Sequence, residues 1–366
     1  FDWNGSAWVQ KEEDIEQGFD CGKRWGSVMQ ASDDGQIVAV GQYDSNNSSI
    51  NSVATFKLEN LENDEWTWNT TNTYSGVRNY DAYGHEISID GDGSTVAIGS
   101  QGHYSTTPNG QIDKYWSGFV HIWDGGTQRG TEIYHEQGTN NLSEISLSDD
   151  GNVVAIGYRT RDGVVYTGNN TTEWFHRDGS TSFNAGNCAN ECNSGSVEVY
   201  AWSGSAWVQR GEDIDGEEAG EEKGNSVSLS DDGDTVAIAA RYKGGNSTPR
   251  GQVQIYDWNG SAWVQRGDNI DGEGASDQCC QVILTNDGNT VALGATQNSA
   301  NGSDSGHVRI FDWNGSAWAQ RGTDIDGEAG NPIGNNISMS DDGNTIAIGA
   351  PRASSYAGEV RIFDWN

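Results

Sequence analysis

Val253–Gly274 reads VQIYDWNGSAWVQRGDNIDGEG, and each copy of it follows a segment of the form SxSLSDDGxTVAIGA. The stretch returns almost verbatim at Val197–Glu217 and Val308–Glu328. It recurs cut in half at both ends, where Phe1–Gln10 reads FDWNGSAWVQ and Phe363–Asn366 reads FDWN. The chain is therefore a repeat array whose termini fall inside a repeat. Self-similarity at a period of about 55 residues points to a solenoid, a propeller or an array. Within one unit, SVSLS (Ser226–Ser230) and TVAIA (Thr235–Ala239) flank an Asp-Asp-Gly turn, which predicts one hairpin. VQIYDW and SAWVQR flank Asn259-Gly260, and Asn-Gly between such runs predicts a second, because both turn positions need positive φ. Two hairpins make a four-stranded sheet, which cannot bury enough surface alone. Radial stacking of such sheets covers their faces and leaves only short edges, so the expected fold is an all-β propeller.

The Asp-Gly hairpins count the blades. ASDDGQIVAV begins at Ala31, IDGDGSTVAIG at Ile89, LSDDGNVVAIG at Leu147, LSDDGDTVAIA at Leu229, LTNDGNTVALG at Leu284 and MSDDGNTIAIG at Met339. The expectation is one domain of six blades, with seven as the alternative, and units over 18–68, 80–137, 138–216, 224–272, 278–327 and 334–366. The last unit stops after its third strand, and Ser6–Gln10 (SAWVQ) is available to close the ring or to complete a neighbouring molecule by strand exchange. Units 4 to 6 are regular. Unit 1 replaces the DWNGSAW hairpin with Phe56–Trp68, unit 2 inserts Gln101–Ser117, and unit 3 inserts Arg159–Gly195. Long loops on a regular scaffold are expected to make contacts with a ligand or partner.

Composition narrows the partners. Of 366 residues, 50 are Gly and 2 are Met, as suits a turn-rich sheet protein; 54 acidic against 20 basic residues give a net charge of −34. Nucleic acid and anionic membrane surfaces are expected to be poor partners, and cations or cationic surfaces better ones. No apolar run approaches the roughly 18 residues of a membrane span, and a chain beginning at Phe1 rather than Met reads as processed or partial. Asn-x-Ser/Thr sequons at Asn4, Asn46, Asn47, Asn69, Asn141, Asn169, Asn170, Asn246, Asn259, Asn301, Asn314 and Asn336 suit an extracellular glycoprotein bearing N-linked glycans. Cys188 and Cys192 are spaced to close a small loop, Cys279 and Cys280 are adjacent, and Cys21 stands alone, so their pairing stays open. With no matched Cys-x-x-Cys pair, structural zinc is not expected.

The unit G-x-S-V-x-x-S-x-DG-x-x-VAIGAP followed by G-x-V-x-I-F is clearest at Gly334–Pro351 and Gly358–Phe363. It resembles the FG-GAP repeat of integrin α-chain propellers and, more closely, secreted FG-GAP-like repeat proteins of unicellular algae and their relatives. The resemblance covers nearly the whole chain and implies an extracellular propeller engaged in adhesion. Two features depart from it. Integrin-type propellers have seven blades, and their calcium loop is D-x-D-x-D-G-x-x-D where these hairpins carry S-D-D-G.

Each candidate for chemistry has a plain structural reading beside it. The pairs Asp33-Asp34, Asp149-Asp150, Asp231-Asp232 and Asp341-Asp342 fit tight turns by bonding their own backbone. Asp90 and Asp92, in the variant DGDG, come nearest to a Ca²⁺ loop. A second acidic series places Asp215, Asp271 and Asp326, with Glu217, Glu273 and Glu328, where blades join; a solvated face is favoured over a ring collecting Ca²⁺ or Mg²⁺. Trp pairs such as Trp258 with Trp263 are read as blade packing before sugar stacking. There is no G-x-S-x-G or H-E-x-x-H, and His85, His103, His121, His135, His176 and His307 show no ligand spacing, so no enzyme and no required cofactor are expected. The expected role is a structural or adhesive subunit of an extracellular assembly, with a self-assembling filament as its expected form. A glycan- or protein-binding module acting through the loops of units 2 and 3 is the alternative.

Overall fold

The computed structural model describes residues 2–3, 8–9, 24–43, 52–61, 65–76, 82–101, 104–106, 112–115, 118–134, 141–160, 163–167, 171–175, 181–182, 193–244, 249–353 and 357–366. They form an all-β propeller of six blades. Blade 1 is a four-stranded antiparallel sheet over Arg24–Ala31, Ile37–Tyr43, Ser52–Leu61 and Glu65–Ser75. Blades 2 to 5 begin at Tyr83, Asn141, Lys223 and Cys279; each has five strands because its outer edge is split into two short pieces. In blade 4, Trp258 pairs with Trp263 at one end of the third strand while Gln252 pairs with Asp271 at the other. Both parts of the quoted stretch therefore pair with one strand.

Blade 6 has three strands, Ile337–Met339, Thr345–Ala350 and Glu359–Asp364. Trp8–Val9, part of the segment available to close this ring or to complete a neighbouring molecule, pairs with Asp2–Trp3. The Trp3↔Trp8 register matches Trp258↔Trp263, so this ribbon is the same DWNGSAW hairpin closed locally.

The second strand of each blade is the core. Val96–Ser100, Val236–Ala240 and Val291–Ala295 are buried throughout. Small residues are required there because blades crowd: an added Cβ on Gly294 would overlap the carbonyl oxygen of Gly334 in the next blade, and one on Gly157 would overlap that of Gly224. The polar positions of SxSLS face the next blade rather than water. Ser88 Oγ accepts from Leu147 N (2.9 Å), Ser146 Oγ from Leu229 N (3.0 Å), and Ser226 and Ser228 Oγ from Val282 and Leu284 N (3.1 and 3.0 Å).

A second joint lies further out. Arg210 stacks on Trp258 and Trp263 of the following blade, 4.9 and 5.6 Å from their ring centroids, and its guanidinium donates to Gly233 O at 2.8 Å. In return, Trp263 Nε1 donates to Arg210 O at 2.7 Å. Arg129 repeats the arrangement on Trp202 and Trp207, Arg266 on Trp313, and Arg321 on Trp365. The repeated tryptophans are thus engaged in joining blades.

Candidate functional site

The Asp-Asp-Gly hairpins meet at one mouth of the ring, and their two aspartates have different jobs. The second caps the turn: Asp232 Oδ1 accepts from Asp234 N at 2.9 Å and from Ser230 Oγ at 2.6 Å, and Asp34, Asp150, Asp287 and Asp342 do the same. The first residue lies at the axis. Asp33 N donates to Gly91 O, Gly91 N to Asp149 O, Asp149 N to Asp231 O, and Asp231 N to Asn286 O, all at 2.9–3.0 Å, a chain of backbone bonds running from blade 1 to blade 5. This gathers Asp33, Asp149, Asp231 and Asp341 around one axis. Partial burial and the other three carboxylates push Asp231 up to about 6; burial, then Asp341 and Asp149, raise Asp33. Deeper in the ring, burial and the nearby Glu86 push Glu144 up to about 8, while Gln281 Nε2, two blades away, donates to it at 3.2 Å. The axis is consequently a column of carboxylates competing for protons or cations.

Asp90 and Asp92 line a cleft of about 610 Å³ beside this mouth, with Asp33, Asp124, Arg129 and Asp149. Their carboxylates serve their own hairpin: Asp90 accepts from Thr95 N at 2.9 Å and Asp92 from Ser94 N at 2.8 Å. Asp90 occupies the place that Ser32 or Ser230 holds in other blades, and Gly91 takes the axial place of Asp33. The DGDG variant is thus a permutation of the turn. The spare room over Gly91 admits Asp33 and Asp149, whose side chains an added Cβ would strike.

The second acidic series lies at the opposite end of the blades, where Ser196, Gln252 and His307 pair with Asp215, Asp271 and Asp326. Its glutamates face basic residues of the following blade: Glu217 meets Lys243 (3.1 Å), Glu273 meets Arg309 (3.7 Å) and Glu328 meets Arg361 (3.2 Å). These residues are blade-joining pairs as well as a solvated face. Blade 5 differs from the others. His307 is fully buried with no hydrogen bond at either ring nitrogen, and leaving a buried polar atom unpaired costs about 1–3 kcal/mol. Its Nδ1 lies 4.0 Å from Glu273 Oε2 and 3.8 Å from Asp324 Oδ2. Burial, reinforced by Arg309, lowers the affinity of the imidazole for a proton. Sequence spacing gave no hint of this trio, since its members come from two blades and stand 34 and 17 residues apart. The one available signal was a histidine where the repeat elsewhere carries Gln252 or Ser196.

Cys279 and Cys280 are buried free thiols, and burial pushes the Cys279 thiol up to about 12. Cys21, Cys188 and Cys192 lie outside the described residues, as do the sequon positions Asn4, Asn46, Asn47, Asn169, Asn170 and Asn246. Asn69, Asn259, Asn301, Asn314 and Asn336 are exposed and Asn141 is half-buried. Asn259 and Asn314 cap their hairpin tips through Oδ1, each accepting from two backbone amides at 2.9–3.0 Å. Asn301 Nδ2 donates to Gly327 O at 2.8 Å. The insertions of units 2 and 3 contribute antiparallel strands, Tyr104–Thr106 with Ile112–Tyr115 and Gly163–Thr167 with Thr171–Phe175, and the two sets lie side by side. No helix among the described residues is long and apolar enough to cross a membrane.

No family model matches the chain, and no curated protein matches it. Solved structures do. The chain is similar to a chain of Kuenenia stuttgartiensis hydrazine synthase, with a TM-score of 0.53, 15% identity, and coverage of 92% of this chain and 75% of that one. It is also similar to a chain in the crystal structure of the mitotic checkpoint complex, with a TM-score of 0.53, 13% identity, and coverage of 95% and 80%. At these identities the likeness is one of fold: a β-propeller, an architecture compatible with a protein-interaction module.

Proposed function

We propose that this propeller is a non-enzymatic, extracellular, N-glycosylated structural or adhesive subunit that assembles with copies of itself, and that it is kin to FG-GAP-type propellers. The observation that carries the reading is the third strand of blade 6, whose apolar side chains are exposed on both of its faces. Val360, Ile362, Phe363 and Trp365 are 69, 39, 36 and 53% exposed, whereas their counterparts Val308 and Phe311 in blade 5 are 0 and 8% exposed. That strand has one neighbour among the described residues, and unpaired edges invite strand addition. The proposed occupant is the SAWVQ strand of a second copy, because the same sequence pairs with this strand type in blades 3 and 4 and its variant SAWAQ does so in blade 5. A net charge of −34 opposes association, and Ca²⁺ is the proposed cation that offsets it. Electron microscopy of the native material, with light scattering before and after chelation, tests this. Ordered fibres that dissolve in chelator support the reading, fibres that survive chelation remove calcium from it, and single rings at all concentrations overturn self-assembly.

The adjoining insertions of units 2 and 3 favour a second reading, a composite patch that binds a glycan or a protein. Replacing 161–192 with a short Gly/Ser loop would then abolish capture of that ligand while the melting temperature of the ring holds.

A further inference from the structure

We infer that Glu273, His307 and Asp324 form a binding site for one divalent transition-metal ion of the zinc class at the junction of blades 4 and 5. Their donor atoms lie within 4.8 Å of one another. The arrangement is more than an acidic cluster, because the imidazole at its centre is completely buried, has no hydrogen bond at either nitrogen, and directs Nδ1 between the two carboxylates. Each carboxylate has one oxygen held from behind and one turned toward His307. Glu273 Oε1 faces the Arg309 guanidinium at 3.7 Å while Oε2 faces the ring; Asp324 Oδ1 accepts from Gln320 Nε2 at 2.6 Å while Oδ2 faces the ring. Such outer partners are what orient metal-binding carboxylates. Arg309 opposes a cation, but its charge is set against those of Glu273, Asp324, Asp277 and Asp326 around the site.

The geometry needs little adjustment. A tetrahedral ion with bonds of ~2.1 Å brings its donors to ~3.4 Å of one another, so the present 3.8 and 4.0 Å spacings close by about 0.5 Å. Glu273, 45% exposed, has room to make that shift. One neutral imidazole with two carboxylates suits zinc, cobalt or manganese better than the all-oxygen preference of calcium and magnesium. The repeat supplies an internal comparison. In blade 4 the position of His307 is Gln252, which donates to Asp271 at 2.7 Å, and the position of Asp324 is Asn269. Blade 4 therefore satisfies its own polar groups, whereas in blade 5 three metal-ligating atoms converge around an imidazole that has no hydrogen bond.

The test is titration of the intact, chelator-treated chain with Co²⁺ in excess Mg²⁺ and Ca²⁺, which occupy the general acidic surface. One Co²⁺ per chain is expected, with visible d–d absorption, displacement by Zn²⁺ and a higher melting temperature on loading. His307→Gln, which imports the blade 4 residue, is expected to weaken binding at least about tenfold. Asp324→Asn, at a more exposed position, does the same if the first variant folds poorly. Cu²⁺ in the parent protein is expected to show electron–nuclear coupling to a single imidazole that is lost in His307→Gln. Failure of the parent to bind one ion under these conditions overturns the site. So does stoichiometric binding that survives both substitutions, which would place the ion elsewhere on the acidic surface.

Discussion

Glu144 shows how one half-buried side chain sets a global property. Its carboxyl has a folded pKa of about 8 against an ordinary value of 4.5, because burial and Glu86 disfavour the charge. Between those values the folded chain binds more protons than the unfolded chain, so this residue's contribution makes stability fall as pH rises from about 4.5 to 8. Asp231, pushed up to about 6, acts in the same direction at lower pH. Glu144→Gln mimics the protonated form, so its melting temperature should match the parent near pH 4.5 and exceed it by several degrees at pH 8. A gap that is constant across this range would show that Glu144 is not proton-bearing in the fold. Gly294 makes a steric prediction: alanine there meets the Gly334 carbonyl oxygen, a backbone atom that cannot swing aside, and should cost about 1–3 kcal/mol in urea denaturation. The acidity of these positions was legible in the sequence. Their convergence was not, because a carboxylate's neighbours across the axis are set by blade order.

At the scale of the element, the blade-to-blade clamp depends on the planar guanidinium as much as on its charge. Arg210→Ala removes a charged hydrogen bond to Gly233 O and the stacking on Trp258, a loss of about 2 kcal/mol by chemical denaturation. Arg210→Lys keeps a point charge without the fork and should recover less than half of that. Full recovery by lysine would show that charge alone holds the joint. The hairpins themselves were readable from Asn-Gly and Asp-Gly, because turn chemistry is local. The division of labour within Asp-Asp was not: Asp232 bonds its own turn, while the backbone of Asp231 bonds the neighbouring blade at Asn286. Similarly, alternation in SxSLS identifies a strand but not what its polar face meets: the hydroxyls of Ser226 and Ser228 accept from amides of the next blade.

For the whole molecule, stability should be uneven around the ring. Blade 6 has three strands and an exposed third strand, so amides over 359–364 should exchange with solvent faster than their equivalents over 307–312 of blade 5. Hydrogen-exchange mass spectrometry checks this on the isolated chain. Equal protection would mean that the edge is covered in solution. If protection at 359–364 rises with protein concentration, the cover is another copy, which connects this measurement to the assembly proposed above.

The sequence by itself determined the repeat, the hairpins, the all-β class and six blades, because each of these follows from turn residues and a period-two pattern acting over a few positions. It also determined the net charge of −34. The tertiary structure alone decided which side chains meet across blades: the four axial aspartates, Glu144 with Gln281, and Glu273 and Asp324 with His307. The physical reason is that ring closure brings together equivalent points of separate units. Sequence distance carries no record of that contact, and a single departure from the repeat, the histidine at 307, acquires meaning only when its neighbours are in place.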